Sequence, residues 1–198
     1  AKTYEVGVVS DLAYGALGYQ GYENPSFLST PGAKDVGIEF YTFSKTFNMA
    51  GWRLAFAAGN DQMIEALNLI QDHLFVGIFP ALQEAGIAAL LDPKSEEVVA
   101  QLNATYDSRR DAFVQAAAKI GWQAFPSRGS FYAWMPVPEG YTSESFADLL
   151  LEKVHVAVAP GKGFGPAGDA YVRIGLLVEP ERLVEAVDRI ANLHLFNN

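Results

Sequence analysis

The chain has 198 residues, enough to bury a proper core, and half of them are hydrophobic with 19% charged. With 14 basic against 23 acidic residues the net charge is −9, which argues against broad contact with nucleic acid or an anionic membrane. The absence of cysteine excludes disulfides, thiolate metal sites and cysteine nucleophiles within the sequence, and it fits the cytoplasm. No apolar stretch approaches the length of a membrane span, and no basic region followed by a hydrophobic one opens the chain.

In chain order, the apolar run 6–9 predicts a strand that ends just before Asp11, and a long loop follows. The run 38–43 predicts a second, buried strand. It leads into the turn Ser44-Lys45-Thr46-Phe47-Asn48-Met49-Ala50-Gly51-Trp52-Arg53, after which 53–58 reads as a third strand closed by Gly59. Helices are expected over 61–74, where Ile64, Leu67, Ile70 and Leu74 recur at helical spacing, and over 80–91 after a break near Gly77. The next helix, 96–120, is expected to be capped by Ser95 and stopped by Gly121. It is long enough to bridge two domains, and a boundary inside it divides the chain into 1–105 and 106–198. The remainder alternates as strand 131–135, helix 143–153, strands 155–159 and 171–176, and helix 180–195, an α+β pattern. No internal repeat or low-complexity tract interrupts it.

Chemistry concentrates at the first two strand ends. Parallel strands ending at Asp11 and Lys45, 34 positions apart (45 − 11), suit one βαβ-like excursion and would hold a carboxylate and an amine at one sheet edge. Pyridoxal phosphate needs this pairing: an amine to bond its aldehyde and a carboxylate to keep its ring nitrogen protonated. The Tyr14 phenol can donate to the ring oxygen, and the Arg53 guanidinium can fork onto the phosphate.

Four segments, Asp11-Leu12-Ala13-Tyr14, Thr42-Phe43-Ser44-Lys45 through Gly51-Trp52-Arg53, Gly129-Ser130-Phe131-Tyr132 and Val172-Arg173-Ile174-Gly175, make the chain resemble the fold-type I pyridoxal-phosphate enzymes of the class I/II aminotransferase family. The resemblance implies an α/β, PLP-dependent transferase-like fold. Residues 1–105 would be part of the large domain, with a mixed, mostly parallel sheet, and 106–198 would be an α+β C-terminal small domain. It implies that Lys45 is the Schiff-base lysine, Asp11 the pyridinium partner and Tyr14 the donor to the ring oxygen. Thr42, Ser44 and Arg53 would hold the phosphate, and Arg173 would bind the α-carboxylate of the substrate. The activity implied is transfer of an amino group between an amino acid and a 2-oxo acid, by a cytoplasmic homodimer.

The resemblance covers the later part of the family pattern, so the sequence is expected to be a fragment of a longer protein. No second arginine is placed for a dicarboxylate, which favours a substrate with a neutral side chain, and the form Asn48-Met49-Ala50-Gly51-Trp52-Arg53 resembles that of bacterial aminotransferases acting on methionine, alanine, aromatic acids or diaminopimelate. The same residues would serve a carbon–sulfur β-lyase, or the aminotransferase-like sensor domain of a transcription regulator. Gly163-Phe164-Gly165-Pro166-Ala167-Gly168 fits a dinucleotide-loop pattern but is expected to lead into a strand, which leaves no helix N-terminus for a pyrophosphate. The glycines are read instead as letting a substrate-side loop approach the site. His73, His155 and His194 have no metal-ligand spacing. Asp107, Arg109, Arg110 and Asp111 read as a solvated helix face with local ion pairs.

Overall fold

In the computed structural model, which describes residues 1–125 and 127–196, the first sheet is built on the run Gly37-Ile38-Glu39-Phe40-Tyr41-Thr42. β-Branched and aromatic residues favour this extended form. That strand, β2 (Gly37–Thr42), lies between β1 (Val8–Asp11) and β3 (Ala55–Gly59). β1 runs parallel to it, from Val8 opposite Gly37 to Asp11 opposite Phe40, and β3 antiparallel, from Ile38 opposite Gly59 to Thr42 opposite Ala55. The sheet is therefore mixed as expected, but only one of its two pairings is parallel. The twelve-residue link between β2 and β3 is taken up by short turns and brings the chain straight back.

Both outer strands start two residues later than the apolar pattern suggests. Arg53 (φ 53°) adopts left-handed backbone at the first position of the expected third strand, and β1 begins only where Val8 meets Gly37. Gly59 (φ 141°) is required where β3 meets β2, because a Cβ there would lie 2.4 Å from the Gly37 carbonyl oxygen.

The helices follow the sequence closely: α2 (Asp61–Leu74), α3 (Pro80–Leu91) and α4 (Ser95–Lys119), after a single turn α1 (Phe43–Thr46). Asn60 caps α2 by accepting from Met63 N at 3.1 Å. Ser95 does not cap α4. Its hydroxyl instead donates back to the Ala89 carbonyl at 2.6 Å, and Asp92 accepts from Lys94 N at 2.8 Å.

The chain divides within α4 into two compact units, 1–103 and 104–198. The first has a small core of Leu17, Tyr19, Ala33, Ile38, Phe43 and Leu54, while Leu69, Ile70, Leu74 and Phe75 stay exposed.

The second unit is better filled. An antiparallel sheet in the order β4 (Tyr132–Pro136), β6 (Tyr171–Gly175), β5 (Ala159–Pro160) is accompanied by α5 (Ser143–Val154) and α6 (Pro180–Ala191). Leu183, Val187 and Ile190 line the buried stripe of α6, and Trp122, Phe113, Phe146 and Met135 fill the centre. The strand expected over 155–159 shrinks to two residues. His155 (φ 56°) closes α5 in left-handed backbone, and pairing with β6 begins only at Ala159. The last helix ends at Ala191, not 195.

The charged stretch of α4 departs from its expected solvated face. Arg110 bridges Asp107 and Asp111, and Arg109 reaches Glu179 at 2.6 Å, yet these arginine side chains are only 11% and 15% exposed. Among the described residues, no helix is long and apolar enough to cross a membrane.

Candidate functional site

Parallel pairing puts the carboxyl ends of β1 and β2 on one edge of the first sheet. Asp11, the last residue of β1, is exposed there, and Leu12 N donates to the Phe40 carbonyl at 2.9 Å to hold the exit. β2 ends at Thr42, whose hydroxyl caps α1. It accepts from Ser44 N at 3.2 Å and gives its one proton to Ser44 Oγ at 2.9 Å, with Leu54 O a longer alternative acceptor at 3.4 Å. Thr42 is thus committed to shaping the turn, and Ser44 keeps its own hydroxyl proton for an outside acceptor.

Lys45 stands in that turn, with Nζ 6.0 Å from the centroid of the Tyr14 ring. The turn carrying Tyr14 is clasped by Asn24, whose Nδ2 donates to the carbonyls of Tyr14 at 3.0 Å and Leu17 at 3.1 Å. Asn103 Nδ2 adds a bond to Ala16 O at 2.8 Å. Arg53 is exposed and left-handed, and its Nη1 donates to the Ala50 carbonyl at 3.0 Å.

A second arrangement lies in the second unit. Arg173 sits on β6 opposite Trp134. Its Cζ is 4.1 Å from the Tyr132 ring centroid and 4.3 Å from that of Phe164, so aromatic rings pack on the guanidinium. Among the described residues no carboxylate pairs with it. Ring contacts leave the N–H groups of a guanidinium able to take a carboxylate bidentately. Arg173 lines a cleft of about 360 Å³ with Ser127, Arg128, Ser130, Tyr132 and Trp134. The glycine-rich segment supplies Phe164 through two short helical turns, Gly161–Phe164 and Pro166–Ala170, and runs directly into β6. As expected, it offers no long helix to a pyrophosphate.

Sequence reasoning passed over three residues that the fold makes important. Asn24 was legible only as a loop residue. Glu39, 7% exposed on β2, accepts from Ser26 Oγ at 2.6 Å, Phe27 N at 2.6 Å and Ser10 Oγ at 3.0 Å, and so ties the loop after residue 25 to the sheet. Arg128 shares the cleft of Arg173, a second arginine that local pattern did not place there, so the expected absence of one no longer argues for a neutral side chain. Among the described residues no group of three or more histidine, cysteine, aspartate or glutamate side chains is arranged to hold a metal.

A family model for "Aminotransferase class I and II" matches residues 1–190. The chain is 59% identical over 189 residues to the "L-glutamine--4-(methylsulfanyl)-2-oxobutanoate aminotransferase" of Bacillus subtilis (strain 168), covering 96% of this chain and 47% of that protein. It is 46% identical to the LL-diaminopimelate aminotransferase of Moorella thermoacetica, covering 96% and 48%. Among solved structures, apo-BacF from Bacillus subtilis superposes with a TM-score of 0.94 at 44% identity, over 100% of this chain and 50% of that one. The aromatic aminotransferase from Pyrococcus horikoshii gives 0.92 at 33%, over 97% and 52%. The chain spans about half the length of the curated relatives it matches. Likeness at this level establishes the fold as that of the PLP-dependent transferases. The chain belongs to the class I and II aminotransferases, a family that works with pyridoxal 5′-phosphate.

Proposed function

We propose that the complete protein is an aminotransferase that exchanges an amino group between an amino acid with a neutral side chain and a 2-oxo acid, as a cytoplasmic homodimer. Residues 1–105 would belong to its large cofactor-binding domain and 106–198 to its small domain. The observation that carries this reading is the edge of the first sheet, where Asp11 ends β1 while the parallel β2 leads through Thr42 into Lys45, beside Tyr14. The relative named for glutamine and 4-(methylsulfanyl)-2-oxobutanoate supports a neutral side chain. That the relatives named above are aminotransferases supports amino exchange over elimination.

The donor set fits pyridoxal 5′-phosphate by its chemistry: an amine, a carboxylate, a phenol, hydroxyls and a guanidinium, one for each feature of that molecule. When bound, the cofactor supplies an electron-withdrawing ring that takes up the electron pair left on the substrate's α-carbon as its proton departs. Asp11 would hold the proton on the ring nitrogen, and Tyr14 would donate a hydrogen bond to the ring oxygen. Ser44 and Arg53 would bind the phosphate, with Thr42 shaping the turn that presents Ser44. The Lys45 amine would carry the proton away from the substrate's α-carbon and return it one position along. Arg173 would fix the α-carboxylate through its N–H edge.

Borohydride trapping tests this assignment. The complete protein is mixed with pyridoxal phosphate, reduced, digested and mapped by mass spectrometry. A mass shift on the peptide bearing Lys45 is expected, and a folded, complete protein whose Lys45 stays unmodified would overturn the assignment.

A further inference from the structure

Phe164 packs on Arg173 from a segment that neither a strand nor a long helix supports. Arg173 itself is fixed by β6 between its two neighbours, and Tyr132 by β4. Of the groups around the guanidinium, the Phe164 ring alone depends on how residues 161–170 are held.

They are held by a buried hydroxyl. Ser143, the first residue of α5, is 0% exposed. Its Oγ donates to Asp169 Oδ1 at 2.8 Å, its backbone N–H donates to the same oxygen at 3.2 Å, and Lys162 N donates to Ser143 Oγ at 3.2 Å. One side chain therefore pins both turns of the segment, Lys162 in the first and Asp169 in the second. Phe164 stands between the pins. The two turns also touch through backbone: a Cβ on Gly161 would lie 2.2 Å from Gly168 O, and one on Gly168 would lie 2.1 Å from Gly161 O. The outer pair, Lys162 with Glu144 at 2.6 Å, is more than half exposed on both sides and adds little.

We infer that Asp169 and Ser143 are positioning residues for substrate binding. By fixing the 161–170 segment they keep Phe164 against the Arg173 guanidinium, which Tyr132 on the neighbouring strand also contacts, so that the guanidinium is held in place rather than swinging through rotamers. The inference rests on Arg173 being the carboxylate-binding arginine proposed above. It concerns an anionic group common to amino acid and 2-oxo acid, so both substrates feel it equally.

The test is steady-state kinetics on the complete protein. Asp169→Ala is expected to raise KM for both substrates about tenfold with kcat within about twofold, the pattern of lost uniform binding. Asp169→Asn retains an oxygen acceptor for Ser143 and is expected to stay near wild type. Phe164→Ala is expected to reproduce the rise, and the double variant Asp169→Ala/Phe164→Ala to add nothing further, because the two act through one contact. A merely structural aspartate would lower thermal stability and give additive effects, and that result would overturn the inference, as would an unchanged KM in Phe164→Ala. If Asp169→Ala does not fold, Ser143→Ala with Phe164→Ala makes the same cycle. Arg173→Lys run alongside separates the failures. An unchanged KM there removes the reading of Arg173 and this inference with it, whereas a raised KM there beside an unchanged Phe164→Ala removes the inference alone.

Discussion

Replacing Arg173 by lysine keeps the positive charge and removes the fork. In the structure the guanidinium lies 4.1 Å from one ring and 4.3 Å from another, with no carboxylate partner among the described residues. A lysine ammonium makes point contacts in place of two parallel N–H bonds, and it stacks on neither ring as a plane does. A hydrogen bond to a charged group contributes about 1.5–3 kcal/mol. Losing one of the two bonds to a carboxylate therefore weakens substrate binding roughly 10- to 150-fold, at about 1.4 kcal/mol per factor of ten. The fold itself should be indifferent, because the β6 ladder and the buried neighbours Val172 and Ile174 are unchanged. The assay is initial rates in both half-reactions, with thermal unfolding as control. A rise in KM for every amino acid and 2-oxo acid, at constant Tm, is expected. A KM left within twofold of wild type would refute the idea that this arginine binds the carboxylate; a fallen Tm would show that its work is structural.

Trp122, 1% exposed, packs on Phe113, Phe146 and Phe196 and donates from Nε1 to the Pro136 carbonyl at 2.7 Å. Trp122→Ala should destabilise the second unit by about 3–5 kcal/mol, read as a lower denaturant midpoint; a loss under about 1 kcal/mol would mean that the cluster does not hold this unit together. In α6 the Arg189 guanidinium, hydrogen-bonded to Glu185, keeps that carboxyl below its ordinary value of 4.5, with Arg182 adding to the effect. A depressed carboxyl contributes stability above its unfolded value that disappears as pH falls through the folded one. The stability gap between wild type and Glu185→Gln should thus be small at neutral pH and close below 4.5, and a gap that widens in acid would contradict it.

The helices were legible because their ends are written locally. Asn60, Pro80 and Gly121 mark boundaries that the structure keeps within a residue or so. Strand ends were less legible, since they depend on partners. β5 is two residues long because β6 meets it only at Ala159 and Pro160, whatever the apolar pattern of 155–158 suggests. The same division runs through the candidate site. Lys45 and Tyr14 could be singled out by residue type after a strand, and the fold brings the amine within 6.0 Å of the ring centroid. The groups that brace each unit's loops were invisible, because their partners are distant in sequence. Glu39 reaches Ser10 across 29 positions, Asn103 reaches Ala16 across 87, and Ser143 reaches Asp169 across 26. Nothing local distinguishes a buried bridging carboxylate from a solvated one until the loop it holds has been folded against it.

Arg53 is a residue of the candidate site whose conformation needs a reason. It has φ 53° at the mouth of β3, a left-handed backbone that costs a non-glycine residue about 1–2 kcal/mol. Asn48, at φ 55° in the same turn, is of a type that tolerates this form, whereas arginine gains nothing locally beyond one exposed bond to Ala50 O. Glycine would relieve the strain, offset by about 0.5–1 kcal/mol of extra chain entropy in the unfolded state. Arg53→Gly should therefore leave stability unchanged or raise it by about 1 kcal/mol, while removing the fork proposed to hold the phosphate. Affinity for pyridoxal phosphate, followed by the cofactor's absorbance during dialysis of the complete protein, should fall roughly 10- to 150-fold for a lost bond of about 1.5–3 kcal/mol. A variant less stable than wild type that retained its cofactor would mean that Arg53 serves the turn. Stability preserved with the cofactor lost would mean that the strain is kept for the sake of the guanidinium, since a residue badly suited to its backbone persists only where its side chain is needed.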